Sequence, residues 1–236
     1  MRFQFAIGLG LAAWIGGMPP LSAQEANRGG RVEWARLKLD YEHWNRHSQK
    51  EPVLIDFIRK NTSLELDSQW RAADIRDLNQ LCAYPFLFAE GIQAIQAPED
   101  KKNLREYLLR GGFLMIDACI NAAVNSDPDQ FFAAQQERFR ELLPGVVIQP
   151  LEPDDPIYTT YFKMAERPPH SYMNSIYNPA WEKHPLYRVM LNDRLVAIIS
   201  LSGLKCAWSG LQADRLGLDR ASMEMLVNIY LYVLLQ

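Results

Sequence analysis

The chain has 236 residues, of which 48% are apolar and 22% are charged, and its formal net charge at pH 7 is −3. A disordered protein would have fewer apolar residues and more net charge, and a nucleic-acid-binding protein would have an excess of lysine and arginine, so the composition indicates neither class. A chain of this length can form a large hydrophobic core without metal ions or disulfide bonds.

Residues 1–23 have the pattern of a secretory signal peptide. Arg2 supplies a positive charge, residues 5–17 form an uncharged apolar run, and residues 21–23 (LSA) offer a cleavage site before Gln24. The apolar run is shorter than the roughly 20 residues that a membrane-spanning helix needs. We therefore expect cleavage, secretion across the inner membrane, a periplasmic location and no membrane span in the mature chain. A membrane anchor is the alternative.

Three cysteines remain after cleavage, namely Cys82, Cys119 and Cys206. An odd number leaves at least one free thiol in an exported protein. The sequence has no Cys-x-x-Cys motif and no cluster of cysteine with histidine, so we expect no structural zinc site. A disulfide bond from Cys206 to Cys82 or to Cys119 and three unpaired thiols are both consistent with the sequence.

A polar, glycine-rich leader, residues 24–30, precedes a single domain over residues 31–236. Residues 32–39 alternate partly between apolar and polar side chains, which indicates a strand. A loop follows, and Ser48 and Glu51 then have the spacing of a capping box, which predicts the start of a helix.

The middle of the chain alternates between short apolar runs and amphipathic segments. Prolines stand near the starts of the two helices predicted most clearly, as is common in the first turn. This alternation is typical of an α/β domain with a mainly parallel sheet and helices on both faces. Strands are predicted at residues 64–66, 84–89, 113–116 and 146–148, helices at 98–110 and 127–143, and a weak helix or turn at 72–78.

The last third of the chain begins with an irregular segment. Residues 150–185 are rich in proline, tyrosine and histidine and have no periodicity, and long loops of this kind are usually functional. Residues 194–200 predict a strand that forms a hairpin with a turn at Asn192-Asp193. A final helix is predicted from about Arg220 to Leu235.

Five segments, spread over nearly the whole mature chain, share the pattern of a known family. They are RLKLD at residues 36–40 with Trp44, YPFLF at 84–88, LREYLLRGGFLMID at 104–117, DPIY at 155–158 and VNIY at 227–230. These segments resemble the bacterial domain-of-unknown-function 4159 family. The resemblance implies a class I glutamine-amidotransferase-like fold, a three-layer flavodoxin-like sandwich with a mainly parallel central sheet, and no established activity. Residues 90–92 and 201–208 depart from the family's pattern.

Three predicted strands end in a carboxylate, at Asp40, Glu90 and Asp117. Ligands of open α/β sheets bind beyond the carboxyl ends of the strands, so these side chains converge if their strands are neighbours. Oxygen-rich clusters suit Ca²⁺, Mg²⁺ or the hydroxyl groups of a sugar. The alternative, that each carboxylate caps a turn or a helix, stays open.

Aromatic and histidine side chains in predicted loops would complete such a ligand site. We assign Trp44, His170 and Trp208 to it, together with the three carboxylates, and ordinary loop packing is the alternative. His43 and His47 would share one face of a helix and could bind a metal ion, although their segment is predicted to be a loop.

The resemblance places Asp117 where an amidotransferase presents its cysteine nucleophile, and Cys119 follows two residues later. A cysteine nucleophile also needs a base and an oxyanion hole, and no histidine stands in the His-x-Glu pairing of amidotransferases. The sequence therefore favours non-catalytic binding of a small molecule, a glycan or a protein of the cell envelope through a degenerate site. The alternative is a hydrolase acting on a glycan or an amide through the Asp117–Cys119 turn.

Overall fold

A computed structural model describes residues 32–117, 127–165, 167, 186–209 and 218–236. Its central element is a seven-stranded sheet, and six helices accompany the sheet within the described ranges. The strands are β1 (Ala35–Lys38), β2 (Arg71–Asp74), β3 (Phe86–Ala89), β4 (Phe113–Asp117), β5 (Val147–Pro150), β6 (Tyr187–Leu191) and β7 (Arg194–Ser200). The helices are α1 (Glu51–Asn61), α2 (Leu78–Cys82), α3 (Pro98–Leu109), α4 (Pro128–Leu142), α5 (Cys206–Ser209) and α6 (Leu218–Leu234).

The strand order is β2-β1-β3-β4-β7-β6-β5. The first five strands in this order are parallel to one another, β6 is antiparallel to β7, and β5 is antiparallel to β6. The predicted mainly parallel sheet is therefore confirmed. Because parallel strands point the same way, the carboxyl ends of β1, β3, β4 and β7 meet at one edge, which we call the C-terminal edge.

Helices cover both faces of the sheet and so form the predicted three-layer sandwich. On one face, Leu81 of α2, Leu108 of α3 and Phe139 of α4 belong to a buried core with the sheet residues Leu87 and Leu114. On the other face, α1, α5 and α6 pack around a second core that contains Trp34, Phe86 and Tyr230. The alternation of side chains along each strand separates these two cores.

The edge of the sheet next to β1 differs from the sequence-based expectation. The predicted strand at residues 64–66 is reduced to one isolated bridge between Leu66 and Val32. The edge strand β2 lies instead where a weak helix or turn was expected. Within β2 only Ala73 is buried, so this strand has no apolar run from which it could be recognised.

The turns around β4 and β7 agree with the prediction. Asn192 and Asp193 have φ angles of 48° and 63°, which is the backbone of a tight two-residue hairpin between β6 and β7. Gly111 has a φ of 103° just beyond the end of α3, and β4 follows directly as a central strand between β3 and β7. At Gly112 a β-carbon would lie 2.3 Å from the ring of Tyr107, so only glycine fits there.

Several predicted features fall outside the described ranges. They are the signal peptide, the leader at residues 24–30, Cys119, His170 and most of the irregular segment at residues 150–185. Across the ranges that are described, none of the helices has the length and apolar character needed to cross a membrane.

Candidate functional site

A chain of buried charged side chains lies beneath the C-terminal edge and begins at Arg36 in β1. The Arg36 guanidinium donates to Oε1 of Glu51 at 2.9 Å and to Oε1 of Glu90 at 3.0 Å. The Trp34 indole donates to Oε2 of Glu51 at 2.9 Å. The side chains of Arg36 and Glu51 are both fully buried, so each provides the charge that the other needs in the core.

Lys205, in the loop between β7 and α5, is the second buried cation of this network. Its side chain is 3% exposed, and its ammonium group contacts Oε1 of Glu90 and the carbonyl oxygen of Arg46. Arg36 and Lys205 therefore converge on the same oxygen of Glu90. The Glu90 side chain itself is 13% exposed.

The loop between β1 and α1 is held on the network by its own carbonyl groups. The Arg36 guanidinium donates to the carbonyl oxygen of Trp44 at 2.8 Å and to that of Arg46 at 3.1 Å.

The predicted capping box is wrong, because Ser48 opens a short 3-10 turn and no side chain caps α1. Glu51 points into the core instead, where two buried donors require its carboxylate.

Asp117, at the end of β4, fixes the loop that carries Lys205. Its carboxylate accepts the backbone N–H groups of Leu204 at 2.9 Å and of Lys205 at 2.7 Å. Complete burial raises the pKa of Asp117 to about 6, while hydrogen bonds from Ser200 and the two amides act in the opposite direction. Asp117 thus places Lys205 beneath Glu90.

Burial also shifts the pKa values of Glu51, Lys205 and His47. It raises the pKa of Glu51, and the charges of Arg36 and Lys205 oppose this shift. It lowers the pKa of Lys205, helped by Arg36 and opposed by Glu90. The pKa of His47 is lowered by partial burial and then by the charge of Lys205. Each of these pKa shifts favours the neutral form of the group, as expected for a charge removed from water.

A small pocket borders Glu90 at the C-terminal edge. Its lining includes Trp44 and Glu90, with Tyr41, His43 and Gln93 around them. The rings of Tyr41 and His43 meet edge to face with centroids 5.5 Å apart. The cavity volume is about 30 Å³, which is enough for roughly one water molecule. The structure therefore brings together two of the predicted ligand residues, Trp44 and Glu90.

Asp40 does not join this pair. It is exposed and lines a neighbouring cavity of about 310 Å³ together with Asp100, and Leu39, Tyr41 and Ala94 line both cavities. Within the described residues, Lys205 links Glu90 to Asp117. In the part of the chain that the structure describes, no three histidine, cysteine or acidic side chains are grouped closely enough to hold a metal ion. Binding of Ca²⁺ or Mg²⁺ stays a prediction.

The structure also describes four other residues that were considered from the sequence, namely Trp208, Cys82, His43 and His47. Trp208 is 1% exposed and packs edge to face on Phe88 with centroids 6.1 Å apart, so it belongs to the core and is not open to a ligand. Cys82 is an exposed free thiol, so the disulfide bond between Cys82 and Cys206 is not formed. His43 and His47 lie in a turn-rich loop, as predicted, and not on a helix.

Sequence patterns did not predict a site role for Arg36, Glu51 or Lys205. Arg36 carried the clearest signal, because it stands between Ala35 and Leu37 in a predicted strand and a buried arginine requires a buried counter-ion. Glu51 was interpreted as a helix cap, and the position of Lys205 after β7 gave no local sign that its side chain would be buried.

Comparison with known proteins identifies the family of the chain. No curated protein matches the sequence. The family described as Domain of unknown function (DUF4159) matches residues 33–234, from just before β1 to the end of α6. The match includes the whole buried network and the Trp44–Glu90 pocket. The chain belongs to the DUF4159 family.

Proposed function

We propose that this chain is an exported domain of the cell envelope that binds a small polar ligand without catalysing its reaction, through a degenerate amidotransferase-like site. The observation that carries the proposal is the pocket in which Trp44 and Glu90 meet. It lies at the C-terminal edge of a parallel sheet, where α/β domains bind their ligands. An aromatic face beside a carboxylate suits a ligand with both apolar and polar surfaces, such as a glycan.

The contacts of Asp117 support binding over hydrolysis. Both of its carboxylate oxygens accept backbone amides of the loop before α5, at 2.9 and 2.7 Å. A carboxylate held in this way fixes a loop and is not directed at a substrate. The alternative, a hydrolase that uses the Asp117–Cys119 turn, would require Asp117 to exchange these contacts for contacts with a substrate.

The size of the pocket sets a condition on ligand binding. A volume of about 30 Å³ cannot accept a sugar ring, which is several times larger. Tyr41 and His43 are exposed at the pocket, so their side chains can move without disturbing the core. We therefore expect these two side chains to move when a ligand enters.

Thermal unfolding tests the proposal, with glucose and N-acetylglucosamine as probes. We expect a saturable rise in Tm that is lost in Trp44→Leu and kept in Tyr161→Leu, a control at an aromatic residue that is 49% exposed and does not line the pocket. A shift that survives in Trp44→Leu would contradict the site. Hydrolysis of p-nitrophenyl glycosides that disappears in Asp117→Asn would favour the hydrolase.

Export is tested separately by the mass of the mature protein. Cleavage after residue 23 should give a chain that begins at Gln24 and lacks the positive charge of Arg2. Intact-mass analysis of protein recovered from the periplasm should show this N-terminus. Retention of Met1 or Arg2 would favour a membrane anchor.

A further inference from the structure

Glu90 occupies an unusual position between two buried cations. Arg36 and Lys205 both contact its Oε1 atom, and their side chains are 0% and 3% exposed. Two buried positive charges directed at one carboxylate oxygen form the arrangement that proteins use to hold an anion. In this structure the anion belongs to the chain itself.

The two cations depend on Glu90 to different extents. Arg36 is also paired with Glu51 and donates to two backbone carbonyl groups. Among the hydrogen bonds of the described residues, the Lys205 ammonium has only the carbonyl oxygen of Arg46 besides Glu90. Removal of Glu90 would leave a buried ammonium without a directly bound anion, which is costly unless another anion takes its place.

Glu90 is the carboxylate of this network that can leave. Glu51 is fully buried and both of its oxygens are bound, whereas Glu90 is 13% exposed and contacts the cations through Oε1. Glu90 also lines the Trp44 pocket, so its side chain stands between the two cations and the opening. An outward rotation would place its carboxylate in water and enlarge the pocket.

We propose that Arg36 and Lys205 form an anion-binding site that Glu90 fills from within the chain, and that the carboxylate group of a ligand in the Trp44 pocket replaces it. The inference rests on the proposed function and specifies that the ligand carries a carboxylate group. Glucose and N-acetylglucosamine, which lack that group, probe only the part of the ligand that contacts Trp44. Exchange of one carboxylate for another leaves the charge of the buried network unchanged. Glu90 therefore acts as an internal competitor that the ligand must displace.

The Glu90→Ala variant tests the site with sodium acetate as the probe. Its Tm should lie below that of the wild type in chloride buffer and should rise saturably with acetate, at an ionic strength held constant with NaCl. Acetamide, which has the same shape without the charge, should not raise it. The wild type should respond to acetate at concentrations at least ~10-fold higher, because Glu90 competes at a high local concentration. Asp74→Ala, which removes the ion pairs with Lys38 and Arg76 away from the pocket, is the control and should show no acetate-specific rise.

Two results would overturn the inference. One is a Glu90→Ala variant that responds equally to acetate and acetamide. The other is a wild type that shows no saturable response while Glu90→Ala does, because Glu90 would then be a permanent structural partner. If Glu90→Ala does not fold in chloride, refolding from denaturant with acetate or acetamide gives the same comparison, and acetate alone should restore folding. The acetate measurements use neither a sugar nor a Trp44 variant. A failed sugar-binding test of the proposed function can therefore be distinguished from a failed acetate test of this inference.

Discussion

Arg36 and Lys38 lie two residues apart on β1, so both side chains project to the same side of the sheet. Arg36 is fully buried and pairs with Glu51 and Glu90. Lys38 is 40% exposed and pairs with Asp74, which also binds Arg76 at the edge strand β2. Arg36 is buried against Glu51 at the start of α1. Lys38 is the last residue of β1, and its side chain extends toward the exposed edge strand β2. We therefore expect burial, and not the type of ion pair, to determine how much each pair contributes to the free energy of unfolding.

Glu51→Ala should produce the largest effect on stability. The substitution leaves the buried Arg36 without its fully buried partner and removes the acceptor of the Trp34 indole. Loss of one member of a buried pair costs about 3–5 kcal/mol. Denaturant unfolding measures the change. Asp56→Ala on the same helix removes an exposed pair with Lys60 and is the control, and equal stability of the two variants would contradict the comparison.

Asp117 and Asp74 should contribute to the pH dependence of stability with opposite signs. The pKa of folded Asp117 is about 6, above its ordinary value of 3.8, so the folded protein binds more protons than the unfolded protein between these pH values. Stability should therefore fall as the pH rises from about 4 to 6, by up to about 3 kcal/mol. Glu51, whose pKa is also raised, acts in the same direction.

Asp74 should show the opposite sign. A hydrogen bond from Arg76 is the main reason that its pKa is held well below the ordinary value, so its contribution is lost only as the pH falls below about 4. Denaturant unfolding from pH 3 to 7 measures both effects. Asp117→Asn should flatten the curve between pH 4 and 6, and an unchanged slope in this variant would show that Asp117 is not the group responsible.

Asp74→Ala at pH 7 should have the smallest effect. It removes pairs with Lys38 and Arg76, whose side chains are 40% and 62% exposed. Exposed pairs of this kind contribute about 0–1 kcal/mol and are weakened by salt. The expected loss is therefore within about 1 kcal/mol and should shrink in 1 M NaCl. A loss as large as that of Glu51→Ala would remove the distinction between the two regions.

The sequence predicted most of the fold because the central strands carry local signals. β3, β4 and β7 each contain a run of at least four apolar residues. Pro98 and the Asp127-Pro128 pair mark the starts of α3 and α4. β2 was missed because an edge strand with one buried residue has no apolar run. The antiparallel pairing of β5 with β6 depends on a strand that is distant in sequence, and the residues of β5 give no local sign of it.

The candidate site could be predicted only in part, for a related reason. Glu90 was identified because it follows a predicted strand, and Trp44 because it is an aromatic residue in a predicted loop. The network beneath them depends on burial by helices and loops distant in sequence, and a local pattern does not contain this information. Glu51 shows the difficulty most clearly, because its spacing from Ser48 matches a capping box while its side chain points into the core.

The most direct test of the ligand site is a ¹H–¹⁵N NMR titration of the mature chain with sodium acetate at constant ionic strength. We predict that the backbone amides of Glu90 and Gly91 and the indole N–H of Trp44 shift together and saturate on one binding curve. Signals of β2, at the exposed edge of the sheet, should not follow that curve. If the Glu90, Gly91 and Trp44 signals stay fixed while surface signals move, the pocket at the C-terminal edge is not the ligand site.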